Sequence, residues 1–122
     1  MALLGRGEYE DAYRVIREAN PLPSVCGRVC HHPCEDRCRA GQAGQEAVAV
    51  RALKRFVTDQ VGPEVFKPQD VADPALADRK VAVVGGGPAG LTAAHYLSLH
   101  GCNVALFEAE AEPGGLLLAA IP

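Results

Sequence analysis

KVAVVGGGPAGLTAAHYLSLHGCNVALFE, residues Lys80 to Glu108, decides the fold of the second half of the chain. Val81-Ala82-Val83-Val84 is an apolar run long enough for a buried parallel strand and too short for a helix. Gly85, Gly87 and Gly90 then form G-x-G-x-x-G where strand turns into helix. Leu91, Ala94 and Leu97 follow at helical spacing, Gly101 stands at the C-cap, and Asn103 to Phe107 reads as a second strand ending on Glu108. This is one βαβ unit. Gly85 allows the tight turn, Gly87 lets the backbone approach a pyrophosphate, and Gly90 lets the helix pack close to the strand. Pro88 and Ala89 open a helix whose first N–H groups and dipole favour phosphate, and the Glu108 carboxylate is placed to accept bonds from a ribose diol. Strand before, helix after and acid at this distance favour dinucleotide binding over a plain glycine-rich turn. The choice between FAD and NAD stays open at this point.

Composition bounds the rest. The chain has 122 residues, enough for one modest domain or parts of two, and no repeat or low-complexity tract. A net charge of −3 argues against a nucleic acid or an anionic membrane surface as partner. No apolar run approaches the length of a membrane span and no secretory signal opens the chain. Four of the five cysteines crowd into residues 26–38, which fits a reducing compartment, the cytoplasm, and a metal site better than a disulfide scaffold. Only residues 109–122 follow Glu108, too little for the further strands of a doubly wound domain, so the chain is expected to be a piece of a larger protein.

In the first half, Gly7 to Ala19 is predicted as a helix with Tyr9, Ala12, Tyr13 and Ile16 on one apolar stripe, ended by Asn20-Pro21. Cys26, Cys30, Cys34 and Cys38 follow at C-x3-C-x3-C-x3-C. Pro33 forbids one unbroken helix. Two helical turns are expected instead. One is capped by Ser24 and carries Cys26 and Cys30; the other starts at Pro33 after His32, carries Cys34 and Cys38, and stops at Gly41. Four thiolates would converge from them. Soft ligands at this density suit a [4Fe–4S] cluster or a structural zinc, with His31 and His32 as further zinc candidates. The absence of a long loop between cysteine pairs puts iron–sulfur ahead of zinc without deciding it. Ala47 to Val61 is predicted as a helix with Val50, Leu53, Phe56, Val57 and Val61 inward; Lys54, Arg55 and Asp59 read as a solvated face. Residues 63–78, with Pro63, Pro68 and Pro74, read as a linker, and Cys102 as a buried filler.

GRGEYEDAYRVIREANPLPSVCGRVCHHPCEDRC, VAVRALKRFVTDQ, VAVVGGGPAGL and FEAEAEPGG together resemble the N-terminal part of the glutamate synthase small subunit and the opening of dihydropyrimidine dehydrogenase, over roughly Gly5 to Pro122. The CGRVC–HHPCE element is the most specific part. The resemblance implies a helical domain with [4Fe–4S] clusters, then an FAD-binding domain interrupted by an NAD(P)H-binding domain that is absent here. Electrons would pass from NAD(P)H through FAD and the clusters to a larger catalytic or electron-accepting subunit. It assigns Cys30, Cys34 and Cys38 as cluster ligands, with Cys26 ranked below them. It assigns Gly85, Gly87, Pro88, Ala89, Gly90, Glu108 and Gly115 to the FAD site. Two departures stand out: a further cysteine group of the family would precede Met1, and Lys54 stands where some members place a Gln or Glu ligand.

The expected fold is α+β in two parts: a small all-α iron–sulfur domain over 1–62, a linker over 63–78, and over 79–122 the first βαβ unit of a Rossmann-like FAD-binding domain, incomplete. No side chain is expected to act as acid, base or nucleophile, since the cofactors carry the chemistry. The chain alone is expected to be inactive, as part of a relaying oxidoreductase subunit. The rival readings are a zinc-stapled interaction domain with a nucleotide-binding remnant, and a piece of an NAD-binding dehydrogenase.

Overall fold

A computed structural model describes residues 1–66 and 72–121. The chain divides into two compact units after Phe66. Residues 67–71, Pro68 of the expected linker among them, lie outside the described residues.

The first unit is helical. Its elements are α1 (Ala2–Gly5), α2 (Tyr9–Ala19), α3 (Pro23–Val29), α4 (Pro33–Asp36), α5 (Arg39–Gln42) and α6 (Val50–Gln60), followed by a 3₁₀ turn at Pro63–Val65. The helix expected from Gly7 starts at Tyr9, because Gly7 sits at φ +76°, outside helical space, and turns the chain between α1 and α2. Ser24 is not the cap of α3. That helix starts one residue earlier on Pro23, whose missing N–H costs nothing at a first helical position. The single turn expected from Pro33 to Gly41 is two, because Cys38 is extended (φ −63°, ψ 129°) between α4 and α5. The helix expected from Ala47 starts at Val50 and ends at Gln60, with Val61 extended.

Ala12 and Tyr13 from α2 meet Val57 of α6 and Val61 in the core, with Leu3, Leu4, Ile16, Val65 and Phe66 packed around them. Val57 is fully buried, and burial of such a side chain is worth about 1.5–3 kcal/mol. By comparison, exposed pairs such as Arg14 with Asp11, at 2.5 Å, contribute about 0–1 kcal/mol. Apolar packing therefore holds this unit, as the stripes on α2 and α6 predict. Tyr9, Val50 and Phe56, expected on those stripes, are instead exposed, and Tyr9 and Phe56 meet edge-on, centroids 5.3 Å apart.

α3 crosses α6 at Gly27. A Cβ there would lie 3.0 Å from the Arg55 Cα and 3.1 Å from its backbone N, so the two helices approach backbone to backbone. Arg28 of α3 reaches Asp59 of α6 at 2.7 Å beside the crossing and holds the Asp59 carboxyl below its ordinary pKa.

The second unit opens with a 3₁₀ turn at Pro74–Leu76, capped by Asp73. Then come β1 (Lys80–Val84), α7 (Pro88–Leu99), β2 (Asn103–Phe107) and α8 (Leu116–Ala120). β1 and β2 pair in parallel, Lys80 opposite Asn103 through Val84 opposite Phe107. Gly101, at φ +94°, closes α7: its N–H bonds the Ser98 carbonyl at 3.0 Å and the Cys102 N–H bonds that of Leu97 at 3.0 Å. That is the pair of bonds a glycine C′ residue makes in a Schellman motif. Residues alternate along both strands, Val81, Val83, Val104 and Leu106 half-buried and Val84 and Phe107 exposed. One face of this two-stranded sheet is covered and the other exposed, as expected for two parallel strands and one helix, which leave half a core unburied. Cys102 is half-buried, not buried. Among the described residues no helix is long and apolar enough to cross a membrane.

Gly27→Ala should destabilise the first unit by about 1–3 kcal/mol, because the facing atoms are backbone and cannot swing aside. Chemical denaturation read by far-ultraviolet circular dichroism checks this; an unchanged midpoint would contradict the close crossing.

Candidate functional site

Two of the cysteines sit within short helices and two in extended residues that flank them. Cys26 is inside α3, Cys30 is its extended C-cap, Cys34 is in α4, and Cys38 is the extended residue before α5. Each sulfur has its own surroundings. The His32 N–H donates to Cys30 Sγ at 3.4 Å and the Val48 N–H to Cys38 Sγ at 3.4 Å. Cys26 Sγ faces the Asn20 side-chain oxygen at 3.9 Å, and Cys34 is exposed. All five cysteines are free thiols.

These separate partners account for a difference from expectation. Among the described residues no three Cys, His, Asp or Glu side chains stand within reach of one ion, so the four-sulfur convergence expected from the sequence is not formed. The chemistry of the donors still fits a thiolate-ligated cluster. Backbone N–H groups of Val48, Gly41 and Ala40 hold the Cys38 thiol below its ordinary pKa, against partial burial and the nearby Glu35 charge. N–H···S bonds of this kind favour the ligand form of sulfur and are one means by which proteins set cluster potentials. His32, a zinc candidate from the sequence, stands at φ +48° with Nδ1 turned toward Glu35 at 3.4 Å. Lys54 is half-buried and lines a cleft of about 210 Å³ with Met1, Leu4, Ile16, Val50 and Leu53. Its reading as part of a solvated face is therefore corrected.

In the second unit the glycine loop closes on itself. Gly85 stands at φ +97°, and a Cβ on Gly90 would collide with the Gly85 carbonyl oxygen. Gly87 caps α7 with nothing within 4 Å of where its Cβ would be, so the space over the helix N-terminus is open. Pro88, Ala89 and Gly90 form the first turn there. Gly115, at φ +54°, lies against Gly87, with 3.2 Å from its would-be Cβ to the Gly87 Cα. An open cradle lined by small residues beside a helix start fits the pyrophosphate of a dinucleotide such as FAD.

Glu108 ties β2 to this loop. Oε2 accepts from the Gly86 N–H at 2.6 Å, and Oε1 from the N–H groups of Ala109 at 2.7 Å and Glu110 at 3.0 Å. Gly86 was not singled out from the sequence, yet it is buried: its would-be Cβ lies 2.7 Å from Glu108 Oε2 and 2.9 Å from Pro113 Cβ. The Gly114 N–H bonds the Gly86 carbonyl at 2.8 Å. The only sequence signal for this role is the unbroken Gly85-Gly86-Gly87 run. Glu35 and Arg51, which link the cysteine segment to α6 through an Arg51 N–H to Glu35 Oε1 bond of 2.8 Å, were likewise not singled out.

The Glu110, Gly86 and Ala109 N–H groups, in that order, hold the Glu108 carboxyl below its ordinary value of 4.5. A depressed folded-state pKa stabilises the loop fully above the unfolded value. The stabilisation disappears as pH falls through the lower folded value. An NMR titration should therefore show Glu108 protonating below the ordinary carboxylate range together with a shift of the Gly86 amide; an ordinary Glu108 pKa would contradict the bond.

A family model described as dihydropyrimidine dehydrogenase domain II, 4Fe-4S cluster, matches residues 1–64, and one for an NAD(P)-binding Rossmann-like domain matches residues 83–118. Among similar proteins are the NADP(+)-dependent formate dehydrogenase subunit beta of Moorella thermoacetica, 38% identical over 95% of this chain and 19% of that protein. The NAD-dependent dihydropyrimidine dehydrogenase subunit PreT of Escherichia coli is 42% identical over 93% of this chain and 27% of its own length. The glutamate synthase [NADPH] small chain of Halomonas elongata is 35% identical over 100% of this chain and 26% of its own. The chain thus spans about a quarter or less of the length of these relatives. With one family model over the helical unit and the other over the βαβ unit, the chain belongs to the dihydropyrimidine dehydrogenase domain II, 4Fe-4S cluster family, continuing into an NAD(P)-binding Rossmann-like segment.

Proposed function

We propose that this chain is the cluster-bearing and nucleotide-binding start of an NAD(P)H-dependent iron–sulfur flavoprotein oxidoreductase subunit. Cys30, Cys34 and Cys38 are the ligands of a [4Fe–4S] cluster, with Cys26 as the fourth candidate. Gly85, Gly87, Pro88, Ala89, Gly90 and Gly115 cradle the FAD pyrophosphate, and Glu108 takes its ribose. When bound, FAD would supply hydride chemistry with NAD(P)H and the cluster would supply one-electron transfer.

The observation that carries this reading is the N–H···S bonding at Cys30 and Cys38, in a chain whose other unit leaves a helix N-terminus open over glycines. Thiols packed only as fillers need no such donors. The chain's own residues bind, orient and tune. The α5 and Val48 N–H groups favour the thiolate of Cys38, and the α7 N-terminus offers donors and positive potential to phosphate. The electron acceptor is a larger partner subunit; three relatives are named as a beta subunit, a subunit and a small chain, which supports this. Five free cysteines fit a reducing compartment, the cytoplasm.

Strictly anaerobic purification should yield iron with matching acid-labile sulfide. Cys30→Ser, Cys34→Ser and Cys38→Ser should each abolish it, with Cys26→Ser the mildest of the four. Zinc without iron would overturn the cluster assignment. Gly90→Ala should remove flavin binding without loss of iron, since its methyl group strikes the Gly85 carbonyl within the second unit and the cysteines belong to the first. Flavin absorbance retained at the wild-type level would overturn the assignment of the loop.

A further inference from the structure

The start of α6 has no cap of its own. Ala49 precedes it and makes no side-chain bond to the helix, so its first N–H groups need an acceptor from elsewhere. Glu35 supplies one: Oε1 accepts the Arg51 N–H at 2.8 Å across a separation of 16 residues. Its other oxygen stands 3.4 Å from His32 Nδ1, a buried nitrogen without hydrogen-bond geometry to any partner, so that contact is at most electrostatic. The Glu35 side chain is only 19% exposed, on a turn whose neighbours Cys34 and Asp36 are open to solvent.

Two further ties run the same way. Arg51 Nη1 donates to the Cys30 carbonyl at 3.3 Å, and the Val48 N–H donates to Cys38 Sγ at 3.4 Å. Residues 48–51 thus reach back to Cys30, Glu35 and Cys38, bracketing the segment that carries three of the sulfurs. α4 and α5 have four residues each and no side-chain cap, too little to hold their own positions. A carboxylate on a helix N-terminus is a charge-assisted bond favoured by the dipole, stronger than the neutral Val48 N–H···S tie beside it.

We propose that Glu35 is a positioning residue for the cysteine ligands, its carboxylate clasping the Cys30–Cys38 segment to the N-terminus of α6 so that the Val48 N–H stays on the Cys38 sulfur. The role rests on the reading of these cysteines as cluster ligands. Its action runs through α6 and the Val48 N–H. A Gln in its place keeps an oxygen for the Arg51 N–H. An Ala has none, and an Asp keeps the charge on a side chain too short to reach.

The test compares Glu35→Gln, Glu35→Ala and Glu35→Asp in protein purified anaerobically. The readouts are exchange of the Arg51 amide, iron lost to an added chelator, and the electron paramagnetic resonance spectrum after reduction. Glu35→Ala should speed Arg51 exchange about tenfold or more. It should also release iron several-fold faster and alter the spectrum, whereas Glu35→Gln should restore all three toward wild type. Should Glu35→Ala fail to fold, Glu35→Asp carries the same expectation. Unchanged Arg51 exchange, or faster exchange with wild-type iron retention and spectrum, overturns the clasp. Iron absent from the wild-type protein instead contradicts the cluster reading, and is seen before any substitution is made.

Discussion

The backbone contact of α3 with α6 at Gly27 is the constraint on which the helical unit depends. Because Gly27 has no side chain, α3 lies within van der Waals reach of the Arg55 backbone, and the cysteine segment that leaves α3 is delivered beside the start of α6. A larger residue at Gly27 would push α3 outward and carry Cys30 away from Arg51. Close packing here is therefore also placement of the candidate ligands. The apolar contacts of Ala12, Tyr13, Val57 and Val61 supply the stability, and the crossing supplies the geometry.

The glycine loop shows the same economy in the second unit. Gly90 admits the Gly85 carbonyl, Gly115 admits Gly87, and Gly86 admits the Glu108 carboxylate. Each missing side chain lets another group approach closely, backbone at Gly85 and Gly87 and the Glu108 carboxylate at Gly86, and the sum is an open cradle above the α7 N-terminus. Glu108 fastens the end of β2 to that cradle through Gly86, so the acid expected to meet a ribose also orders the loop expected to meet the phosphates.

Much of the βαβ unit was legible because its signals are local. The apolar runs fixed β1 to within one residue and β2 to the residue. Gly101 marked the end of α7 because left-handed backbone after a helix calls for glycine. The cysteine segment was less legible. The break at Cys38 depends on the Val48 N–H ten residues on, and the late start of α6 goes with a tie to Glu35 from sixteen residues back. Periodicity carries neither. Helix α1 has only four residues, too few to show a period. Candidate ligands could be named from spacing and resemblance, but the surroundings of the Cys38 sulfur include a donor ten residues on, and among the described residues no three of the thiols are drawn to one point.

The central proposal is that Cys30, Cys34 and Cys38 are ligands of a four-iron cluster, with Cys30 and Cys38 prepared by backbone donors. Mössbauer spectroscopy of the anaerobically purified, iron-enriched protein tests it most directly. The account predicts the spectrum of a thiolate-ligated cubane, with all iron in one delocalised cluster type. Iron in isolated tetrahedral sites, or no bound iron at all, would contradict it.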